Sequence, residues 1–406
     1  MGTLIQLPGG SMPTGIIGIP DGSGWYIFYT SLRAAMTAAT AGDTIIFFDS
    51  YTESVSGTIT LKDGVNINLN GHKYTYDVAD TTNMFDTVGP MEASFYNGVL
   101  ERTNATGAAL TEGCVFLLVN DVSLYFYDVE SINATKLLFH KVSGLINTKI
   151  YGGRWLGGNG STAIDVSGCE IINCTFETEY VVRLNFSRIV DCTCFTTGTA
   201  AQSANVRGQS EIINCNFQIT NPSNNQPTVF LDNSEMKSSI VVTKGTGFGI
   251  SAENSEVYDC YTESVNFAAL RLRNGSYAKD CTVITQNNEA ASVDESELHS
   301  SSVSSGSSFA VCYVTDNSLI YNCYFKSTDA SAAGGVVYLQ LNGNQVLNCT
   351  LDVDNTGKYG ITGNSGISAT IVKNTGNMLT GQLVNTMNIS NNQVYTQDNF
   401  GNIIIG

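Results

Sequence analysis

The hexapeptide Ile212–Phe217, IINCNF, recurs along this chain, and that recurrence constrains the fold more than any other feature. Ile171–Phe176 reads IINCTF, Ile189–Cys194 IVDCTC, Val257–Thr262 VYDCYT, Ala278–Val283 AKDCTV, Ile320–Phe325 IYNCYF and Val346–Leu351 VLNCTL. The shared rule is apolar, any, Asn or Asp, Cys, any, then usually apolar. Degenerate copies fill the larger gaps, MKSSIV at Met236–Val241 and LHSSSV at Leu298–Val303. IVKNTG at Ile371–Gly376 and ISNNQV at Ile389–Val394 put Asn in the cysteine slot. The slot returns every ~22 residues, the signature of a solenoid whose repeats stack as successive turns.

Side chains alternate along a strand, so the first apolar residue and the Asn two places on share a face. The Cys and the apolar residue two places after it share one as well. Both pairs point inward only if the chain turns a corner between Asn and Cys. Asn suits that corner because it tolerates left-handed backbone angles. The expectation is an interior stack of Asn side chains with cysteine sulfurs beside it.

This pattern resembles the right-handed parallel β-helix family, which includes pectate lyases and phage tailspikes and carries such Asn and Cys stacks. The start of the chain resembles it too. Ser31–Ala41, SLRAAMTAATA, reads as a helix with Ser at its cap and Gly42 at its end. Gly-Asp-Thr-Ile, a strand over Thr44–Phe48, Tyr51-Thr52-Glu53 and strands over Gly57–Leu61 and Val65–Leu69 follow. The resemblance implies that the helix caps the open end of the coil, whose exposed cross-section needs covering. The predicted fold is therefore all-β: a single-stranded right-handed parallel β-helix with a short N-terminal capping helix. Three segments are expected: an extension over 1–24, a helix and strand cap over 25–56, and the coil over 57–406.

Residues 1–24 contain ten Gly or Pro among six Leu and Ile. No regular helix or sheet is expected there. The segment reads as an attachment region ordered by a partner. The start has neither a basic stretch nor an apolar core of the secretory kind, and no run approaches a membrane span. The reading is a protein made in a cytoplasm that reaches a surface by assembly.

The chain carries 36 acidic against 19 basic residues, a net charge of −17. That balance argues against nucleic acid and anionic membranes as partners, since both need clustered Lys and Arg. Seven of the eleven cysteines sit in the repeat slot, where they are expected to be buried free thiols. No metal-binding spacing and no cofactor fingerprint appears. The histidines, His72, His140 and His299, share no turn. Asp294, Glu295 and Glu297 form the densest acid cluster and read as a polar turn.

Catalysis on such a coil needs carboxylates on adjacent outer faces. Three residues past the Cys slot stand Glu177, Gln218, Glu263, Lys326 and Asp352, with Phe195, Val242, Ile284 and Ser304 between them. No two neighbouring turns offer a pair there. Within one turn, Glu177 and Glu179 lie ~7 Å apart by strand rise and are the candidate catalytic carboxylates. The calcium-binding lyase arrangement that the resemblance would imply is absent. Candidate sugar-stacking aromatics are Trp155, in the Gly-rich loop Gly152–Gly160, and Tyr180.

The resulting expectation is a structural and recognition protein of a phage virion, a spike or fibre that binds host surface polysaccharide. A homotrimer attached to other virion proteins through residues 1–24 is expected. The apolar Phe195, Val242 and Ile284, with Ile403–Ile405 at the tip, are its expected contacts. The alternative is a polysaccharide hydrolase or lyase on the same scaffold.

Overall fold

The structure, a computed structural model, is described over residues 16–106, 112–118, 121–133, 139–141, 146–157, 164–178, 182–198, 202–306, 308, 310–328, 336–353, 360–364, 368–378, 394–397 and 403–405. The chain forms two compact units, residues 1–194 and 195–406.

Unit 1 begins with β1 (Ile17–Pro20), β2 (Tyr26–Tyr29), α1 (Leu32–Ala38) and β3 (Thr44–Phe47). β1 pairs antiparallel with both β2 and β3. The extension expected over 1–24 therefore ends sooner than its Gly and Pro content suggested. Ile17 is fully buried, and Pro20 sits last in its strand, where a missing N–H is tolerated. Residues 1–15 lie outside the described residues.

Ser31 caps α1, its hydroxyl accepting the Ala34 N–H at 3.1 Å. The helix stops at Ala38, short of the expected Ala41, because Asp43 captures the Thr40 N–H at 2.7 Å in a tight turn. Leu32, Ala35 and Met36 are its buried face.

From β3 the chain coils with three strands per turn, each paired parallel to its counterpart one turn on. Thr44 faces Asn66, Tyr51 faces Tyr74 and Ile59 faces Phe85. Rings fill the interior of this unit. Phe85, Phe95, Phe116 and Phe126 pack with centroids 5.1–5.5 Å apart, and Trp155 meets Phe126 edge-on at 5.3 Å. Each buried ring of this size stabilises by roughly 1.5–3 kcal/mol over its exposed state. Arg102 is the largest of several buried polar side chains here, with no exposed side-chain surface. It donates to the Val78 and Thr103 carbonyls at 2.7 Å and to Asp80 Oδ1 at 2.8 Å, clamping the 76–82 loop.

Unit 2 is more regular. Glu211–Ile213, Glu235–Lys237, Glu256–Tyr258, Tyr277–Lys279, Glu297–His299 and Leu319–Tyr321 stack in parallel, each followed by a second and a third strand. The parallel β-helix read from the repeat is the fold found.

The corner between Asn and Cys is left-handed in seven successive copies of the repeat. Asn214, Ser238, Asp259, Asp280, Ser300, Asn322 and Asn348 all have φ between 46° and 57°. Their side chains, however, do not point inward. All but the half-buried Ser300 are exposed, so the expected interior Asn stack lies outside, as in the Asn348–Asn322 amide bond of 3.1 Å. A left-handed residue reverses the alternation at the corner, which the strict period-two count did not allow for.

The cysteines are inside, and all eleven are free and buried. Each slot thiol donates to the carbonyl two residues back, 3.1 Å for Cys215 and Cys260 and 3.3 Å for Cys281 and Cys323. Ser239 and Ser301, in the degenerate copies, make the same bond at 2.7 Å.

A second ladder runs at the preceding corner. The N–H groups of Ser234, Ser255 and Ser276 donate to the hydroxyls of Ser255, Ser276 and Ser296 one turn on, at 3.1–3.2 Å. Ser318 continues the column, and Asn344 closes it at 3.0 Å. Buried backbone donors at the corner thus find partners where the sheet ladder is broken.

Candidate functional site

Of the sequence candidates, Trp155 and Glu177 fall among the described residues. Trp155 is fully buried and offers no face to an external sugar. Its segment is no open loop: Arg154–Gly157 is a strand paired to Thr175–Thr178. The corner before it is tight, because a Cβ on Gly153 would collide with the Val129 carbonyl. Glu177 is exposed and bound by Arg154 at 2.6 Å, which raises the Arg154 pKa. Glu179 and Tyr180 lie outside the described residues.

The slot after the cysteine is outward as expected. Phe195, Val242 and Ile284 are half-buried there, and the register alternates Gln218, Val242, Glu263 and Ile284 along the column. Apolar and polar side chains therefore take turns. Ile403–Ile405 form a strand antiparallel to Val394–Gln397.

The carboxylates that the sequence analysis sought stand one residue before the hexapeptide instead. Glu211, Glu235 and Glu256 follow one another on three successive turns, and Tyr277 and Glu297 continue the column. Two residues along each strand, on the same outer face, stand Lys237, Tyr258, Lys279, His299 and Tyr321. The strands hold both columns outward because Met236, Val257, Ala278, Leu298 and Ile320 between them are fully buried.

Within three of these strands the two outward residues couple. Lys237 Nζ lies 2.7 Å from Glu235 Oε1, and the Tyr258 hydroxyl donates to Glu256 Oε2 at 2.7 Å. His299 Nε2 is 2.9 Å from Glu297 Oε2. The hydrogen bond to Glu256, with burial behind it, pushes the Tyr258 phenol up to about 12. Burial, then the Glu297 charge, raises Tyr277.

The rings form a continuous strip across successive strands. Tyr258 and Tyr277 have centroids 5.7 Å apart, Tyr277 and His299 4.9 Å, and His299 and Tyr321 5.5 Å. Interplanar angles of 45–51° keep the rings from stacking face to face. Beside them runs an open groove of about 590 Å³, lined by Glu256, Tyr258, Tyr277, Lys279 and Glu297 among others. Rings that present faces, next to carboxylates already aimed, suit a ligand with apolar C–H faces and hydroxyl edges. The signal was in the sequence as Ser-Glu-apolar, recurring from Ser210, Ser234, Ser255 and Ser296, with the Glu one position upstream of the hexapeptide.

No protein-family model and no curated protein matches the chain. Among solved structures it is similar to the A-module of mannuronan C-5 epimerase AlgE4 from Azotobacter vinelandii. That match has 14% identity, covers 90% of this chain and 92% of the other, and has a TM-score of 0.30. It is similar as well to tailspike protein 3 of bacteriophage CBA120, at 10% identity over 82% of this chain and 53% of that one, with a TM-score of 0.38. The periplasmic alginate epimerase AlgG gives 11% identity, 86% and 83% coverage and a TM-score of 0.40. No residue role passes from these proteins to this chain. The strand register itself identifies the chain as a parallel β-helix.

Proposed function

We propose that this chain is a glycan-recognition protein of a phage particle, such as a spike or fibre, and that its groove holds host surface polysaccharide. The observation that carries the glycan reading is the ring strip Tyr258–Tyr277–His299–Tyr321 beside the pre-aimed Glu256 and Glu297. The test is retardation of the protein by polysaccharides in affinity gels. Tyr277→Ala with Tyr321→Ala is expected to abolish retardation while leaving the strand signal in circular dichroism intact. Retardation equal to wild type in that double variant overturns the reading.

The particle setting is supported by the apolar, Gly- and Pro-rich start of the chain and by the outward Phe195, Val242 and Ile284. It includes a homotrimer and attachment to other virion proteins through the first residues. Light scattering tests the trimer: a mass near three times 43.4 kDa supports it, and a single-chain mass rejects it.

One observation favours a second reading, a polysaccharide hydrolase or lyase: Glu211, Glu235 and Glu256 stand on consecutive turns. Glu235 is engaged by Lys237 and Glu256 by Tyr258. Release of new reducing or unsaturated ends from a bound polymer, lost in Glu235→Gln, would establish that reading.

A further inference from the structure

We infer that the glycan this groove accepts presents hydroxyl or amine donors and carries no acid groups. The inference rests on the groove being the glycan site.

Three carboxylates line the groove, Glu256, Glu295 and Glu297, against one ammonium, Lys279. The charge of Lys279 is already met, since its Nζ lies 3.7 Å from Asp280. No arginine is among the lining residues. A polymer of uronates brings one carboxylate per sugar, and its recognition calls for forked or clustered cations at matching intervals. Here each sugar acid would face carboxylates instead, at the short range where like charges repel.

The same carboxylates are well placed to accept. Glu256 and Glu297 are each held through Oε2 by Tyr258 or His299, which fixes their direction. The second oxygen of each is left to receive a donor from the ligand. A charged acceptor makes a stronger hydrogen bond to a hydroxyl than a neutral one does. Turns stack ~4.8 Å apart. A chain of pyranose rings laid along the strip would thus meet a new carboxylate or ring at each turn. Tyr277, His299 and Tyr321 supply the faces, and Glu256 and Glu297 take the edges.

Two sources share this chemistry, neutral polysaccharides and amine-bearing ones, and salt separates them. Attraction of an ammonium polymer to the groove is screened by added salt, whereas neutral hydroxyl contacts are not. The probes are dextran and mannan as neutral polymers, chitosan oligosaccharides as amine-bearing ones, and polygalacturonate and alginate as uronates. Affinities are measured at low and high salt, with and without a divalent cation.

The expected result is that at least one neutral or amine-bearing polymer binds roughly tenfold or more tightly than either uronate. Glu256→Gln with Glu297→Gln is expected to narrow that preference while keeping the strand signal. Uronate binding as tight as the best neutral polymer, or appearing when a divalent cation is added, overturns the inference. If Tyr321→Ala abolishes that uronate binding, the groove stands as the glycan site and only the charge selectivity fails. If no polymer of any class binds, the groove reading fails first and carries this inference with it.

Discussion

Residues 44–157 fill their interior with a connected cluster of rings, whereas residues 202–353 fill theirs mostly with aliphatic side chains threaded by serine and cysteine columns. In the first region Phe95, Phe116, Phe126 and Trp155 form one connected cluster, and bulky rings tolerate turns of unequal length. In the second, the serine N–H groups reach hydroxyls one turn away at 3.1–3.2 Å, a reach that fails if a turn slips by a residue. The ladder therefore fixes the register of the corner from turn to turn, while turn length varies from 20 to 26 residues between the corners.

The outer faces differ in the same sense. Tyr96, Tyr127 and Tyr151 stack nearly parallel, at 8° and 15°, so they cover one another's faces. Tyr151 also donates to Glu170 at 2.9 Å. The rings of the second region are tilted and open. The two aromatic columns thus differ in tilt, stacked in the first region and inclined in the second.

The largest way to break this contrast is to open the ring core. Trp155→Ala should cost about 3–5 kcal/mol in denaturant unfolding, since no neighbouring side chain can fill the hole. A loss under about 1 kcal/mol would mean that the rings are not what holds the first region together. Next in size is Ser276→Ala. It strands the buried Ser255 N–H and removes the donor to Arg273 O, for a loss of about 1–3 kcal/mol. A neutral result there would reduce the ladder to decoration.

Cys281→Ser sharpens the comparison by being small. Ser301, one turn on, already bonds the carbonyl two residues back as Cys281 does, so the loss should stay below about 1 kcal/mol. A loss matching that of Ser276→Ala would show that the sulfur contributes something a hydroxyl cannot.

The smallest effect at neutral pH concerns thiol ionisation. Burial pushes Cys260 up to about 12 and Cys281 up to about 11. The folded chain holds these protons more tightly than the unfolded chain. Their contribution is therefore complete below the ordinary thiol range and is lost as pH rises from there through about 11 and about 12. Stability should fall over that window, and thiol reagents at mildly alkaline pH should label these cysteines only after denaturation. Rapid labelling of the folded protein would place the sulfurs outside.

Much of the fold was legible because Cys, Asn and Ile recur in register from 171 onward. The N-terminal helix was legible from Ser31 and its alanines. The serine column was visible in the letters too, but its role was not. Ser255 and Ser276 look like loop residues until the turns are stacked and one's N–H meets the other's hydroxyl.

The site was missed for a geometric reason. Counting outward from Cys215 led to Gln218, while the aligned acids stood on the far side of a left-handed corner, at Glu211. Trp155 misled because a Gly-rich flank resembles an exposed loop, yet those glycines make the close corner that buries the ring. What sequence alone could not provide was lateral information: which residue of one turn sits beside which residue of the next.

The tilted rings of the second region are the proposed glycan platform. The direct measurement is polysaccharide affinity of the intact protein against two variants, Tyr277→Ala with Tyr321→Ala, and Tyr127→Ala as the stacked-ring control. The double variant is expected to lose binding and the Tyr127 variant to keep it. Equal loss in both, or binding retained in the double variant, would contradict that proposal.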